Sequence, residues 1–221
     1  MHVITDERCL GYSQPGHPER PQRVAGTLAL LREQREIEII WEEPLAVTDE
    51  AIARAHEQAH LQRIANPDGP LDGDTPDYPE IDAHARRSIG GGLRALELAR
   101  EGKPNFSLLR PPGHHATREQ AMGFCYFNSI AITALAARAA GVEKVAVFDF
   151  DVHHGNGTED ILRTVEGTAF FSIHQHPAYP GTGQKSFDNC HNYTVPPDTP
   201  NDGWRKTAST ALADLKKFNP D

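Results

Sequence analysis

The sequence predicts an α/β protein built on a parallel sheet with helices on both faces. Short apolar runs that read as buried strands alternate with longer stretches of helical spacing, which is the rhythm of βαβ units. Histidine-bearing motifs follow directly on three of the strand-like runs, where open sheets of this kind bind ligands. The length agrees, because 221 residues can bury a sizeable single core.

A first helix is expected from Pro21 to Glu36, proline being acceptable in an opening turn, and a short strand-like run from Ile37 to Trp41 follows. Thr48 has the chemistry of an N-cap for a helical region that reaches Ala65 in one or two pieces. Residues 66–80, NPDGPLDGDTPDYPE, crowd Pro, Gly and Asp into a long surface loop of the kind that rims a site. Ile81 to Arg100 is helical again, with Gly90-Gly91-Gly92 marking close packing or a break. Beyond it the spacing predicts a buried strand over Asn105 to Leu109 and a helix capped by Asn128 that runs to about Ala140. A buried strand from Lys144 to Phe150, a short helix from Thr158 and a strand from Thr168 to His174 come next. A short strand near Asn192 to Val195 and a final helix from Asn201 or Asp202 to Phe218 close the chain. No repeat, linker or second domain is visible.

Composition narrows the function. The 22 Lys+Arg against 31 Asp+Glu give a formal charge of −9, which argues against a phosphate-reading nucleic-acid binder and suits a cationic substrate. The longest apolar stretch, Ile130 to Ala140, contains Arg138 and is too short for a membrane span. The N-terminal residues lack a signal-peptide pattern, and Cys9, Cys125 and Cys190 cannot form a disulfide framework, so a cytoplasmic setting is expected. Of twelve histidines, six fall within the 63 residues from His114 to His176, a clustering that points to metal or proton-transfer chemistry.

Three motifs carry that chemistry. In Asp149-Phe150-Asp151-Val152-His153-His154-Gly155-Asn156-Gly157, side-chain alternation along an extended segment sends Asp149, Asp151 and His153 to one side. Asp151 and His153 can then meet one ion, zinc or another first-row divalent metal, with Asp149 placed to orient a neighbouring imidazole. Arg110-Pro111-Pro112-Gly113-His114-His115-Ala116 presents two imidazoles from a stiff backbone, one to activate water and one to protonate a leaving amine. Gly123-Phe124-Cys125-Tyr126-Phe127-Asn128 is an aromatic loop that either walls an apolar pocket or belongs to the core.

Together with DERCLGY (Asp6 to Tyr12), HPERPQR (His17 to Arg23), DGDTP (Asp72 to Pro76) and SIHQHPAYPGTG (Ser172 to Gly183), these motifs resemble the histone deacetylase family, including acetylpolyamine amidohydrolases and bacterial deacetylases. The resemblance implies an arginase-like α/β fold and zinc-dependent hydrolysis of an N-acyl amide, acetyl-lysine or acetylpolyamine in type. It implies Asp151 and His153 as two of three zinc ligands, and His114 and His115 as the general acid/base pair. Asp149 would pair with His114, and Asn156, an Asp in other branches, with His115. It further implies that the Gly123 carbonyl receives the substrate amide, that Phe124 walls the acyl-lysine channel, and that Asp149 and Ser172 belong to a potassium site. Asp74 is a further candidate for substrate contact.

The family's third zinc ligand, an Asp, and its oxyanion tyrosine would follow a segment like Phe218-Asn219-Pro220-Asp221, so the chain is expected to hold the N-terminal two thirds of one such domain. Asp198, Asp202 and Asp214 offer no convincing substitute ligand, and Tyr179 reads as channel rim. Exposed strand edges would favour a homo-oligomer. Two other readings compete. One is a non-catalytic acyl-ligand-binding relative or inactive fragment. The other is a zinc protease built on His56-Glu57-Gln58-Ala59-His60, an HExxH match that would place both histidines on one helix face.

Overall fold

In the computed structural model, which describes residues 1–221, the chain opens on a strand that the sequence pattern does not announce, β1 (His2–Ile4). Three residues are too few to display alternation, and the strand exists because its neighbours supply the ladder. After helix α1 (Gln22–Glu33), the chain returns as β2 (Ile40–Glu42), which pairs in parallel with β1, Val3 opposite Trp41. Ile37 to Ile39, expected in that strand, lie before it.

Thr48 caps a helix as its chemistry requires, its Oγ1 accepting the Ala51 N–H at 3.4 Å. The region comes in two pieces, α2 (Asp49–Ile52) and α3 (Gln58–Ala65). The long helix α4 (Ile81–Arg100) then runs without a break through its glycine triplet. Close packing explains the triplet. A Cβ on Gly90 would stand 2.1 Å from the Leu45 carbonyl oxygen, one on Gly91 2.3 Å from Leu109 Cδ1, and one on Gly92 2.3 Å from Thr133 Oγ1. Strand β3 (Asn105–Ser107) pairs with β1 on its other side, giving the parallel order β2-β1-β3, and is shorter than the apolar run from Asn105 to Leu109. Val3, Cys9, Val24, Leu28 and Leu108 form a core cluster between α1 and this sheet. Helix α5 (Ser129–Ala139) starts where Asn128 predicts, with Asn128 Oδ1 accepting the Ala131 N–H at 3.0 Å.

The chain divides into two compact units, Met1–Thr133 and Ala134–Asp221. The second holds β4 (Val145–Asp149), α6 (Asn156–Leu162), β5 (Thr168–Gln175), β6 (Cys190–Val195) and α7 (Asn201–Phe218). Its strands are parallel in the order β4-β5-β6, with Asp149 opposite Ser172 and Ser172 opposite Asn192. Helix α6 begins at Asn156, two residues before the expected Thr158, and β5 extends through His174 to Gln175. Helix α7 lays Ala208 on Ile173 and Val195, and the Asp221 carboxylate accepts the Glu143 and Lys144 N–H groups at 2.8 and 2.9 Å. No helix is long and apolar enough to cross a membrane.

Candidate active site

The loop after β3 is fixed at its base by a buried cation. Arg110, 1% exposed, donates from Nε to Glu19 Oε1 at 2.7 Å, from a terminal nitrogen to Glu19 Oε2, and from Nη1 to the Cys9 carbonyl at 2.7 Å. Its guanidinium carbon lies 3.8 Å from the centre of the Tyr12 ring. Every part of a group that is expensive to bury is thereby matched. The Ser88 hydroxyl donates to the Pro111 carbonyl at 2.9 Å, and a Cβ on Gly113 would collide with the start of α5, 2.7 Å from Ser129 N. From this rigid loop His114 and His115 emerge with ring centroids 4.0 Å apart.

Gly123 lies against the second of them. Its φ is +57°, and a Cβ there would stand 2.4 Å from His115 Cδ2, so only glycine lets the backbone approach the ring. The next residue, Phe124, has φ +71°, an unfavourable setting for a bulky side chain. The DGDTP loop holds it there: Asp74 Oδ1 accepts the Gly123 N–H and Thr75 Oγ1 the Phe124 N–H, both at 3.2 Å. Tyr126 Oη donates to the Pro76 carbonyl, and the His17 ring meets Phe124 edge-on at 5.1 Å. Asp74 thus has a structural engagement beside Phe124, while Thr75 and His17 were not singled out by sequence reasoning. Their signal was DGDTP and HPERPQR themselves, whose polar residues have no role in a surface loop until a strained backbone nearby needs acceptors.

In the second unit β4 ends at Asp149, and the chain turns rather than continuing extended. Asp149 Oδ1 accepts the Asp151 N–H at 3.0 Å, and Asp151 Oδ1 accepts the His153 N–H at 2.9 Å. These successive Asx-type turns, not strand alternation, bring Asp151 and His153 together. His153 Nδ1 sits 3.3 Å from Asp151 Oδ1, with the two side chains 41% and 45% exposed, open to an incoming ligand. The Tyr179 ring packs edge-on to His153 at 5.9 Å. Asn156 opens α6, its N–H donating to the His154 carbonyl at 2.9 Å. Ser172, beside Asp149 in the ladder, has its Oγ 2.9 Å from His174 Nδ1.

A carboxylate and an imidazole are donors that suit zinc, so Asp151 and His153 fit two of its positions. No group of three or more His, Cys, Asp or Glu converges on one point. Asp214 is engaged elsewhere, accepting from Tyr193 Oη at 2.9 Å and from Lys217 Nζ at 2.7 Å.

Two further histidines are fully buried behind this turn. His154 Nδ1 lies 2.8 Å from Thr182 Oγ1 and its Nε2 3.3 Å from Glu159 Oε2, which also accepts from Asn192 Nδ2 at 2.6 Å. Burial works against the Glu159 charge, but the His154 and Asn192 hydrogen bonds outweigh it and hold the carboxyl below its usual range. His174 Nε2 meets the Gly183 carbonyl at 3.1 Å, and burial, helped by His154, lowers its pKa to about 4. The cluster pins the loop that carries Tyr179.

The HExxH match is not a metal site. His56 precedes α3 instead of lying on it, and both its ring nitrogens are committed to backbone, Nδ1 to the Thr117 carbonyl at 2.8 Å and Nε2 to the Asn128 N–H at 2.9 Å. His56 has no lone pair left for zinc and only His60 lies on the helix, so the motif does not form the two-histidine site of a zinc protease.

Comparison with known proteins gives the fold and the family. The crystal structure of an acetylpolyamine aminohydrolase from Burkholderia pseudomallei superposes on the whole chain and on 80% of its own length with a TM-score of 0.87 at 24% identity. The fold is therefore the arginase-like α/β fold, with parallel strands and covering helices. Residues 17–221 match the histone deacetylase domain, and the chain belongs to the histone deacetylase family. A probable deacetylase of Archaeoglobus fulgidus is 34% identical over 91% of this chain and 61% of its own length. A histone deacetylase-like amidohydrolase of Pseudomonas aeruginosa is 39% identical over 77% of this chain and 48% of its own. The chain spans about half to three fifths of the length of these two relatives.

Proposed function

We propose that this chain carries the N-terminal two thirds of a zinc-dependent amidohydrolase domain that removes the acyl group from an acetyl-lysine peptide or an acetylpolyamine. The observation that carries the reading is the tandem histidine pair, rings 4.0 Å apart, held rigidly against a glycine that only a bare backbone can occupy. A pair of imidazoles can take a proton from water and return one to an amine, which is what amide hydrolysis needs. Asp151 and His153 are assigned as zinc ligands, the third protein ligand lying outside this chain. The chemistry a zinc ion supplies when bound is Lewis-acid polarisation of the amide carbonyl and a lower pKa for coordinated water.

In this reading one of His114 and His115 removes the proton from the attacking water, and the other, as imidazolium, delivers a proton to the amide nitrogen as its bond to the acyl carbon breaks. The products are a carboxylate and a free amine. Asp149 is assigned to orient His114 and Asn156 to His115; an amide stabilises an imidazolium less than a carboxylate does. The Gly123 carbonyl, already contacted by Cys125 Sγ at 3.4 Å, is assigned to receive the substrate N–H, with Phe124 as channel wall and Asp74 at the rim. Asp149 and Ser172 are assigned to a potassium ion, and the net charge of −9 favours an amine carrier that is cationic.

Zinc content and hydrolysis of an acetyl-lysine peptide test this, measured on the 221-residue chain and on any longer product of its reading frame. Asp151→Ala should lower zinc occupancy, and His115→Ala should keep the zinc and lower turnover by about 10²-fold or more. Equal zinc loss in both variants would contradict the division of roles. Glu57→Gln should leave both quantities unchanged.

A further inference from the structure

HEQAH holds no metal, yet its first histidine is buried in an arrangement that a packing residue does not need. His56 is 4% exposed and bridges two backbone segments distant in sequence. Because Nε2 accepts from the Asn128 N–H, the proton of a neutral ring must sit on Nδ1 and be given to the Thr117 carbonyl. One tautomer alone satisfies both partners, and protonation would break the bond to Asn128. Burial, reinforced by neighbouring His60, keeps the ring neutral.

The two segments it joins are those that carry the tandem histidines and the aromatic loop. Thr117 follows His115 by two residues, and Asn128 ends the segment that begins at Gly123, the residue packed on the His115 ring. The stitching is repeated around the bridge. Asn128 Nδ2 donates to the Ala116 carbonyl at 3.1 Å, Glu57 N–H to the Arg118 carbonyl at 2.9 Å, and His60 Nε2 to the Tyr126 carbonyl at 2.7 Å. The His56 and His60 rings pack tilted against each other at 4.9 Å, and Phe127 meets the first tilted at 5.4 Å and the second edge-on at 5.5 Å.

We infer that His56 is a positioning residue for the tandem histidines: its neutral Nδ1–H tautomer clamps the segment after His115 to the segment after Gly123, and so sets where the His115 ring stands. What the ring is for rests on the amidohydrolase reading; the clamp itself does not.

The test separates the two. Imidazole nitrogen spectra of the ¹⁵N-histidine-labelled chain report His56, His114 and His115 individually without any assay. His56 should show a protonated Nδ1 and an unprotonated Nε2. In His56→Ala both His114 and His115 resonances should move, whereas Ile64→Ala, a buried deletion on α3 at a site 0% exposed, should destabilise the chain and leave them in place. His56→Gln, which can still accept from Asn128, should give a smaller shift, and it serves as the primary variant should the alanine form not fold. In the peptide assay on the longer product, the alanine and glutamine variants should lose about tenfold in kcat with KM little changed, as misplacement of a proton-transfer group predicts. Unmoved His114 and His115 signals in a folded His56 variant, or equal movement in Ile64→Ala, would overturn the proposal. Moved signals with no hydrolysis by a wild-type product that also carries the third zinc ligand and the oxyanion tyrosine would uphold the clamp and count against the amidohydrolase reading.

Discussion

Phe124 has a backbone at odds with its side chain, and the bonds around it decide whether the aromatic loop keeps its shape. At φ +71° a phenylalanine stands in a region that costs of the order of 1 kcal/mol. Thr75, wholly buried, offsets this by accepting the Phe124 N–H. Thr75→Val keeps the shape and removes the acceptor, leaving a buried N–H unpaired. The expected loss is about 1–3 kcal/mol in urea unfolding, together with a weaker hold on the channel wall. Gly123→Ala should cost a similar amount and also displace His115, since the added methyl would lie 2.4 Å from its ring. A Thr75→Val variant as stable as the wild type would show that the loop is held by other means.

At the scale of elements, glycines in helices separate two kinds of position that look alike in sequence. Gly26 of α1 has open space where a Cβ would go, so Gly26→Ala should stabilise by about 0.5–1 kcal/mol through helix propensity. Gly90 of α4 has the Leu45 carbonyl oxygen 2.1 Å from that point, so Gly90→Ala should destabilise by about 1–3 kcal/mol. Thermal midpoints moving in opposite directions would confirm this, and a gain at both would mean that the 45–90 contact is loose. The contrast shows what local sequence can and cannot carry. Thr48 and Asn128 were legible as caps because a cap is a local hydrogen bond, and the helical periodicity of α4 survived three glycines. β1 was not legible, because a three-residue strand is defined by partners about 38 and 103 positions away. The Asp151–His153 pair was placed by the right residues for the wrong reason, since Asx turns replace the strand beyond Asp149. The candidate site residues were readable as motifs; that Thr75 and His17 pack around Phe124, and that His56 bridges Thr117 and Asn128, depends on long-range packing that no window displays.

The molecule as a whole carries histidines that are neutral because they are buried, and this ties its stability to pH. Burial lowers the His56 pKa to about 3, and also lowers those of His60 and His84. In the unfolded chain these rings titrate near the ordinary value of about 6.5. Between that value and the folded pKa the unfolded state binds more protons than the folded one, so stability rises with pH and is lost as pH falls from about 6.5 towards about 3. Above about 7 these groups contribute no slope. Each adds about 1.4 kcal/mol per pH unit wherever its two states differ by a full proton. Carboxylates held below their usual range, Glu159 and Asp6 among them, add a further loss at lower pH in the same direction. The urea midpoint of the wild-type chain should therefore be flat from pH 8 to 7 and fall steadily from pH 6.5 to 5. His56→Gln should start lower at pH 8, having lost part of the bridge, and then fall less steeply by the slope of one proton. If the two curves run parallel through that interval, His56 is protonated or exposed in the folded protein, and both the acid sensitivity and the single-tautomer bridge to Thr117 and Asn128 would have to be abandoned.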